Sequence, residues 1–524
     1  MVTGELETYA AEHGVKFFLD VKLAVCTDTF SSVRPGGAKN VERLVLCNGE
    51  VSYVDLLGVV RSKLVPSAHI GTMQRVGAGF AGFAAHFNMT AADPDMDLIR
   101  APLTVLFRQA CLYDGAAEFQ MAKPDPSSVI KLPWNDKVAW VASDLYMNDT
   151  PVQQSPREVL KNQEQIARAA EMGPGYHMKT GVECEFFLLK KSSEIEIADS
   201  KDDADKPCYE QGALMRHYTV ISELLEYMET LGWEPYQADH EDANGQFELN
   251  WAYDDCLKTA DRHTFFKFMT KTVAEKHAHF RCGSFMDSGF RATFMPKPFV
   301  DKTGNGAHCH VSVWKDVNSP CSTNLFDAPL SPSTTTDNNN DHSNQALGLS
   351  VLGDQFMAGI LHNAQALVAL LNPTVNSYKR IDGRPTTSGT PWAPFTVSYT
   401  GNNRTHLLRI PDGGRFELRL ADGAVNPYLL QAAILASGLH GIRENLPIPP
   451  RCDWNGFFPP PNIPALPTLP STLLEALQNL DNSAVFRGAL GNDFIDSYLF
   501  VQRQQWRSYT SHLSKWELDN TLDC

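Results

Sequence analysis

Four short polar motifs, each set inside an apolar run, constrain this chain more than any other feature. They are Gly304-Asn305-Gly306-Ala307-His308-Cys309-His310, Glu183-Cys184-Glu185, His240-Glu241 through Glu248, and Gly414-Arg415-Phe416-Glu417-Leu418-Arg419. The run Lys179 to Leu189 reads as a strand, so Glu183 and Glu185, two residues apart, leave the same face. Two adjacent carboxylates repel unless a cation or a basic partner joins them; the plainer alternative is a solvent-facing strand edge. His308 and His310 alternate with Cys309 and Val311 and share a strand face, either turned into a site or lying on ordinary surface. Arg415, Glu417 and Arg419 alternate with Phe416, Leu418 and Leu420, as a site wall or a surface charge ladder would. Pooled, the carboxylates and imidazoles suit Mg²⁺ or Mn²⁺. The neighbouring arginines suit phosphate or a substrate carboxylate. This is the inventory of a metal-dependent phosphoryl-transfer site.

The chain has 524 residues, 43% of them hydrophobic, enough for a large core and more than one domain. Its net charge of −16 argues against nucleic acid and anionic membranes as partners. Small anionic substrates are compatible, because Arg380, Arg384, Arg404, Arg409, Arg415 and Arg419 crowd one region. Eleven cysteines without paired spacing predict free thiols in a reducing, cytoplasmic setting. Nearly every candidate ligand is a hard oxygen, which argues against thiolate zinc. Met1 to Val15 has no signal-peptide pattern, and no run reaches the roughly 20 apolar residues of a membrane span.

Along the chain, Glu42 to Val54 predicts a hairpin, with Leu44, Leu46, Val51 and Tyr53 as its apolar positions and Asn48-Gly49 as its turn. Asp55-Leu56-Leu57-Gly58 ends its second strand and Val60 to Val65 resumes extended. Ala101 to Met121 is an apolar interruption of an acidic connection. Helices are expected over Pro156–Ala170, Met215–Leu231, Asp261–His277 and Leu349–Leu371, with a further one from Asn426-Pro427 to about Ile442. Ser331 to Asn344 reads as an exposed loop, residues 381–403 as turn-rich, Pro447 to Pro470 as an extended connection or wrap, and 471–518 as helical.

These motifs, in this order, resemble the glutamine synthetase superfamily over about residues 40–440, and most of all its bacterial type III branch, which includes the glutamate–methylamine ligases. The resemblance implies an α+β chain, with an N-terminal β-grasp domain (1–145) and a catalytic domain of antiparallel sheet and helices (146–445). A Pro-rich connection and helical segment (446–524) would follow. It implies an ATP-dependent ligase joining the γ-carboxyl of L-glutamate to ammonia or a small alkylamine through γ-glutamyl phosphate. By motif match, Glu185, Glu241 and Glu248 would hold a first Mg²⁺ or Mn²⁺ and Glu183, His308 and Glu417 a second, with two or three ions per site. His310, Ser312, Arg409 and Arg415 would lie on the ATP side, with Arg404 and Arg409 acting catalytically on phosphate. Gly304, Arg380 and Arg419 would bind glutamate. Asp55 would reach the amine pocket of the neighbouring subunit in a homo-oligomer of stacked rings.

The chain departs from the family pattern after Asn376-Ser377-Tyr378-Lys379-Arg380. Counting back from Asn403-Arg404, the position of the usual flap glutamate is held by Trp392, in Trp392-Ala393-Pro394. That loss removes a charge partner for ammonium, and an indole face favours a methylated amine. Methylamine is therefore expected to be preferred over ammonium, and Asp55 becomes the expected base. A glutamate–polyamine ligase and a silent assembly protein are the alternatives. Ala101 to Met121 and Phe280 to Ser288 read as insertions.

Overall fold

The computed structural model describes residues 49–69, 77–81, 85, 119–147, 150–168, 176–278, 290–315, 317, 322–328 and 347–524. The predicted first strand with Leu44 and Leu46, most of Ala101–Met121, the 280–288 stretch and the Ser331–Asn344 loop lie outside those residues. The chain divides into two compact units that part between Val152 and Gln153, with Leu56–Gly58 counted with the second.

The first unit is built on a mixed sheet. Its strands are β1 (Gly49–Val54), β2 (Val60–Val65), β3 (Ala78–Ala81), β4 (Phe119–Pro124), β5 (Ile130–Lys131), β6 (Ala139–Met147) and β7 (Thr150–Pro151), with the main path running β2-β1-β6-β4-β3. β1 pairs antiparallel with β2 and parallel with β6. Tyr53 meets Phe80 edge-to-face at 4.9 Å, and Val65, Trp140, Val141 and Leu145 complete a buried face. The β1–β2 turn holds Asp55, whose carboxylate accepts the Val59 N–H (2.9 Å) and pairs with Arg61 (2.8 Å).

The second unit carries a larger sheet: β8 (Tyr176–Lys190), β9 (Pro235–His240), β10 (Gln246–Trp251), β11 (Asp254–Asp255), β12 (Phe290–Thr293), β13 (Ala307–Lys315), β14 (Thr323–Asn324), β15 (Tyr399–Thr400), β16 (Leu408–Arg409) and β17 (Phe416–Leu418). Its main path is β15-β16-β17-β13-β8-β10-β9, antiparallel throughout except between β15 and β16. β8 alternates strictly over its motif. Val182, Cys184 and Phe186 face the core, where Phe186 packs on Phe247 and Phe266, and Glu183 and Glu185 face the other way. The sheet therefore has an apolar back and a charged front.

The helices are α1 (Pro156–Ile166), α2 (Gln211–Arg216), α3 (Tyr218–Thr230), α4 (Cys256–Ala278), α5 (Val351–Leu371), α6 (Pro427–Arg443), α7 (Leu473–Asp481), α8 (Ala484–Leu490), α9 (Asn492–Thr510) and α10 (Lys515–Thr521). Asn426 caps α6 through the N–H groups of Tyr428 and Leu429, with Pro427 at the first position. α5 and α6 cross so closely that a Cβ on Gly359 would lie 2.1 Å from the Ser437 carbonyl, and one on Gly441 2.0 Å from that of Gln355. Only glycine permits that approach. The Pro-rich run is a brace. Leu469 N–H bonds to Phe395 O, Val397 N–H to Pro467 O and Cys452 N–H to Tyr399 O, while Asn403 and His406 both reach Trp454 O. It thus supports the arm that carries Arg404 and Arg409.

Candidate active site

Register places the four motifs side by side. His308 pairs with Glu183 across β13 and β8, Glu248 with Glu185 across β10 and β8, His310 with Glu417 across β13 and β17, and Arg409 with Glu417 across β16 and β17. They front a cleft of about 420 Å³ whose lining includes Glu183, Glu185, Glu241, Glu248, Gly304, His308, His310, Arg380, Trp392, Arg404, Arg409, Arg415 and Arg419. Thirteen of the sixteen predicted site residues therefore converge. Glu417 lies beneath the cleft floor, fully buried. Ser312 lies in an adjoining pocket of about 300 Å³ that shares Glu183, Tyr236, Asn250, His310 and Arg415 with the cleft. Asp55 belongs to the first unit.

Hydrogen bonding fixes the imidazoles. Arg415 Nη1 approaches His310 Nδ1 (3.2 Å), and Arg380 Nη2 approaches His308 Nε2 (3.3 Å). Guanidinium only donates, so each of these ring nitrogens accepts and the proton sits on the other. His310 Nε2–H then donates to Glu183 Oε1 (2.8 Å) and His308 Nδ1–H to Oε2 (3.2 Å). Burial raises the pKa of Glu183, but these two hydrogen bonds outweigh it and hold the carboxyl well below its usual range. Burial likewise works against Glu417, and Arg419 foremost brings it down to about 2. Arg409 Nη1 donates to its other oxygen at 2.7 Å.

On the β9–β10 side the balance reverses. Burial, then Glu185, Asp239 and Glu183, push Glu241 well up; burial, then Glu183, Glu241 and Glu185, do the same to Glu248. Ligand atoms of Asp239, Glu241 and Glu248 lie within 4.8 Å of one another, as do those of Glu183, Glu248 and His308, and of Glu183, His310 and Glu417. Carboxylates this close, several of them with raised proton affinity, are a hard-ligand set suited to a divalent cation. The grouping differs in detail from the sequence expectation. Asp239 stands with Glu241 and Glu248, whereas Glu185 Oε2 accepts from Gly306 N–H (2.7 Å) and Gln246 Nε2 (3.0 Å).

Gly304 is backed by the Pro296 carbonyl, 2.2 Å from where a Cβ would stand, so bare backbone faces the cleft. Arg404 makes no hydrogen bond or ion pair among the described residues and is exposed at the rim. Trp392 takes a left-handed backbone (φ 53°), unusual for an aromatic residue. Its carbonyl accepts from Arg419 Nη2 (3.3 Å) and its indole N–H donates to Asp242. The flap position without a glutamate therefore still has a carboxylate beside it.

Sequence reasoning missed Asp239, Asp242, Tyr209 and Tyr236 in the cleft, and Lys179, Tyr253 and Trp314 in the adjoining pocket. Asp239 was accessible, being two residues before Glu241 in an extended run. Tyr253 and Trp314 stack at 6.2 Å with Lys179 over both rings, a contact set by β-pairing that no local pattern signals.

A cation-binding carboxylate floor ringed by guanidinium groups defines a metal-dependent phosphoryl-transfer enzyme. Comparison makes the class specific. Residues 153–521 match the glutamine synthetase catalytic domain. A glutamine synthetase of Rhizobium leguminosarum bv. phaseoli is 49% identical over 473 residues, 90% of this chain and 96% of the relative. The glutamate–methylamine ligase of Methyloversatilis universalis is 36% identical over 477 residues, 90% and 95% of the two chains. A solved structure described as a GmaS/ADP complex is 44% identical, covers 91% of this chain and 97% of its own, and superposes with a TM-score of 0.76. The chain belongs to the glutamine synthetase family.

Proposed function

We propose that this enzyme joins the γ-carboxyl of L-glutamate to ammonia or a small alkylamine, driven by ATP. The carrying observation is the cleft itself, where a carboxylate–imidazole floor opens directly into a second pocket walled by Ser312, Tyr253 and Trp314. That pocket suits the nucleotide, with the stacked rings and Lys179 on its base side and Arg415 and His310 toward the phosphates. Amide formation from a carboxylate is uphill in water, so the carboxyl must first become an electrophile.

Glutamate is held by Arg380, Arg419 and the backbone at Gly304. Its γ-carboxylate oxygen attacks the γ-phosphorus, the bond to ADP breaks, and γ-glutamyl phosphate forms. The amine nitrogen then attacks the acyl carbon, phosphate leaves, and one amine proton is lost. Arg404 and Arg409 meet the charge on the transferring group. Glu183, Glu185, Glu241, Glu248, His308 and Glu417, with Asp239, would hold two or three Mg²⁺ or Mn²⁺ ions, which would supply charge neutralisation for the phosphates. Mixing the protein with ATP, L-glutamate and a panel of small amines should release phosphate in a glutamate-dependent, amine-dependent way. No release with any amine in either metal overturns the reading.

The same reading assigns Asp55 to a neighbouring subunit's amine pocket, as the base, in a cytoplasmic assembly of stacked rings. Activity should then elute only with a multi-subunit species in size-exclusion chromatography with light scattering. A fully active monomer would remove Asp55 from the mechanism.

A further inference from the structure

Asp242 is a carboxylate in the cleft to which the motif match gives no role. It follows Glu241 directly and is 8% exposed. One of its oxygens, Oδ2, takes three donors: the Trp392 indole N–H, the Ser388 hydroxyl and the Thr303 hydroxyl at 3.2 Å. Two of these come from the turn-rich flap and one from the segment leading to Gly304. The other oxygen, Oδ1, has no donor among the described residues, yet it is not one of the enclosed polar atoms lacking a partner. It is therefore open to the cleft that Asp242 lines. Among the described residues no lysine or arginine touches this carboxylate, although Arg380, Arg404, Arg409, Arg415 and Arg419 all line the same cavity. A negative charge has been fixed in place by neutral donors and left without a cation of its own.

The half-buried indole of Trp392 stands against it, held in its strained backbone by the Arg419 contact at 3.3 Å. An oriented carboxylate oxygen beside an aromatic wall matches a cation with a small apolar substituent: the charge goes to the oxygen and the methyl lies along the ring. Ammonium would use the oxygen alone. A longer alkylammonium would have to pass the flap residues bonded to Oδ2.

We infer that Asp242 binds the incoming amine in its ammonium form and, with Trp392, determines which amine is used, so that the charge expected from a flap glutamate is supplied from the Glu241 loop instead. This rests on the ligase reading above and concerns binding before the proton is lost.

The test compares the unsubstituted enzyme with Asp242→Asn, which keeps the shape and an oxygen to accept from the flap. Steady-state phosphate release is followed with methylamine, ammonium and hydroxylamine, the last being mostly uncharged at neutral pH. KM for methylamine and ammonium should rise by at least about tenfold, the scale of one charge-assisted hydrogen bond. KM for hydroxylamine, glutamate and ATP should move by less than about threefold. Equal rises for charged and neutral amines, or no rise for any, overturn the role of Asp242 while leaving the ligase reading intact. Absence of amine-dependent phosphate release in the unsubstituted enzyme overturns both. Should the variant fail to fold, the unsubstituted enzyme decides alone. Trimethylammonium, which cannot form a stable amide, should compete with methylamine, and the uncharged tert-butanol should not. Equal inhibition by the two, or by neither, overturns the inference.

Discussion

Glu248→Ala is expected to cut turnover by at least about a thousandfold, the scale of losing a principal electrostatic stabiliser of phosphoryl transfer, while making the metal-free protein more heat-stable. The two effects have one cause. Glu248 is buried directly opposite Glu185 on one neighbouring strand and Asp239 on the other. Burial, then the charges of Glu183, Glu241 and Glu185, raise its pKa well above the ordinary carboxylate value. A group whose folded value is raised contributes stability that is fully present below its unfolded value, near 4.5, and is lost as pH rises through the folded value. Metal-free wild type should therefore lose stability as pH rises above about 4.5, and Glu248→Ala should lose less. The Tm advantage of the variant should grow with pH, reduced somewhat by the lost Asn250 contact and the small cavity. Added Mn²⁺ should reverse the ranking by stabilising wild type more. Differential scanning fluorimetry at several pH values, with EDTA or with Mn²⁺, checks the stability half, and phosphate release checks the rate. Near-normal turnover, or a Tm gap that does not change with pH, would refute the assignment.

How much of this site was legible depended on how each residue is placed. Glu183 with Glu185, and His308 with His310, announced a shared face because strand periodicity is local, and β8 and β13 present them as alternation requires. Asn426-Pro427 announced a helix start for the same reason. Leu46 and Asn48, by contrast, carried a hairpin expectation that falls outside the described residues, while the observed antiparallel pair is Gly49–Val54 with Val60–Val65. What local pattern could not supply was register. Nothing in the spacing of Glu417 says that it lies beneath the cleft, locked between Arg409 and Arg419. Nothing near Asp242 says that a flap 150 residues later will donate an indole N–H to it. The Trp392 departure was visible as a missing charge. That a carboxylate stands beside it is a tertiary fact.

Arg419→Ala should be the most damaging single change to the fold of the cleft, costing about 3–5 kcal/mol at neutral pH. Glu417 has no exposure, and its two oxygens are divided between Arg419 on one side and Arg409 on the other. Removing Arg419 leaves half a buried carboxylate unpaired, and the desolvation cost, no longer offset, falls on the folded state. It also frees the Trp392 carbonyl, and with it the strained flap turn. The pH dependence identifies the cause. In wild type, Arg419 foremost among the opposing influences holds Glu417 at about 2, against the pull of burial, below its ordinary 4.5. That depressed value contributes stability present above 4.5 and lost as pH falls toward 2. Without Arg419 the folded value rises and the contribution disappears. The gap between wild type and variant should then be widest near neutrality and narrow as pH falls through about 4. Urea-unfolding midpoints at pH 7, 5 and 4 measure it. Arg419→Lys should recover part of the stability through its charge, but not the second contact to the flap, because an ammonium lacks the fork that reaches Glu417 and Trp392 together. A gap that stays constant across this pH range would show that the loss comes from packing alone and that Glu417 does not depend on its arginine.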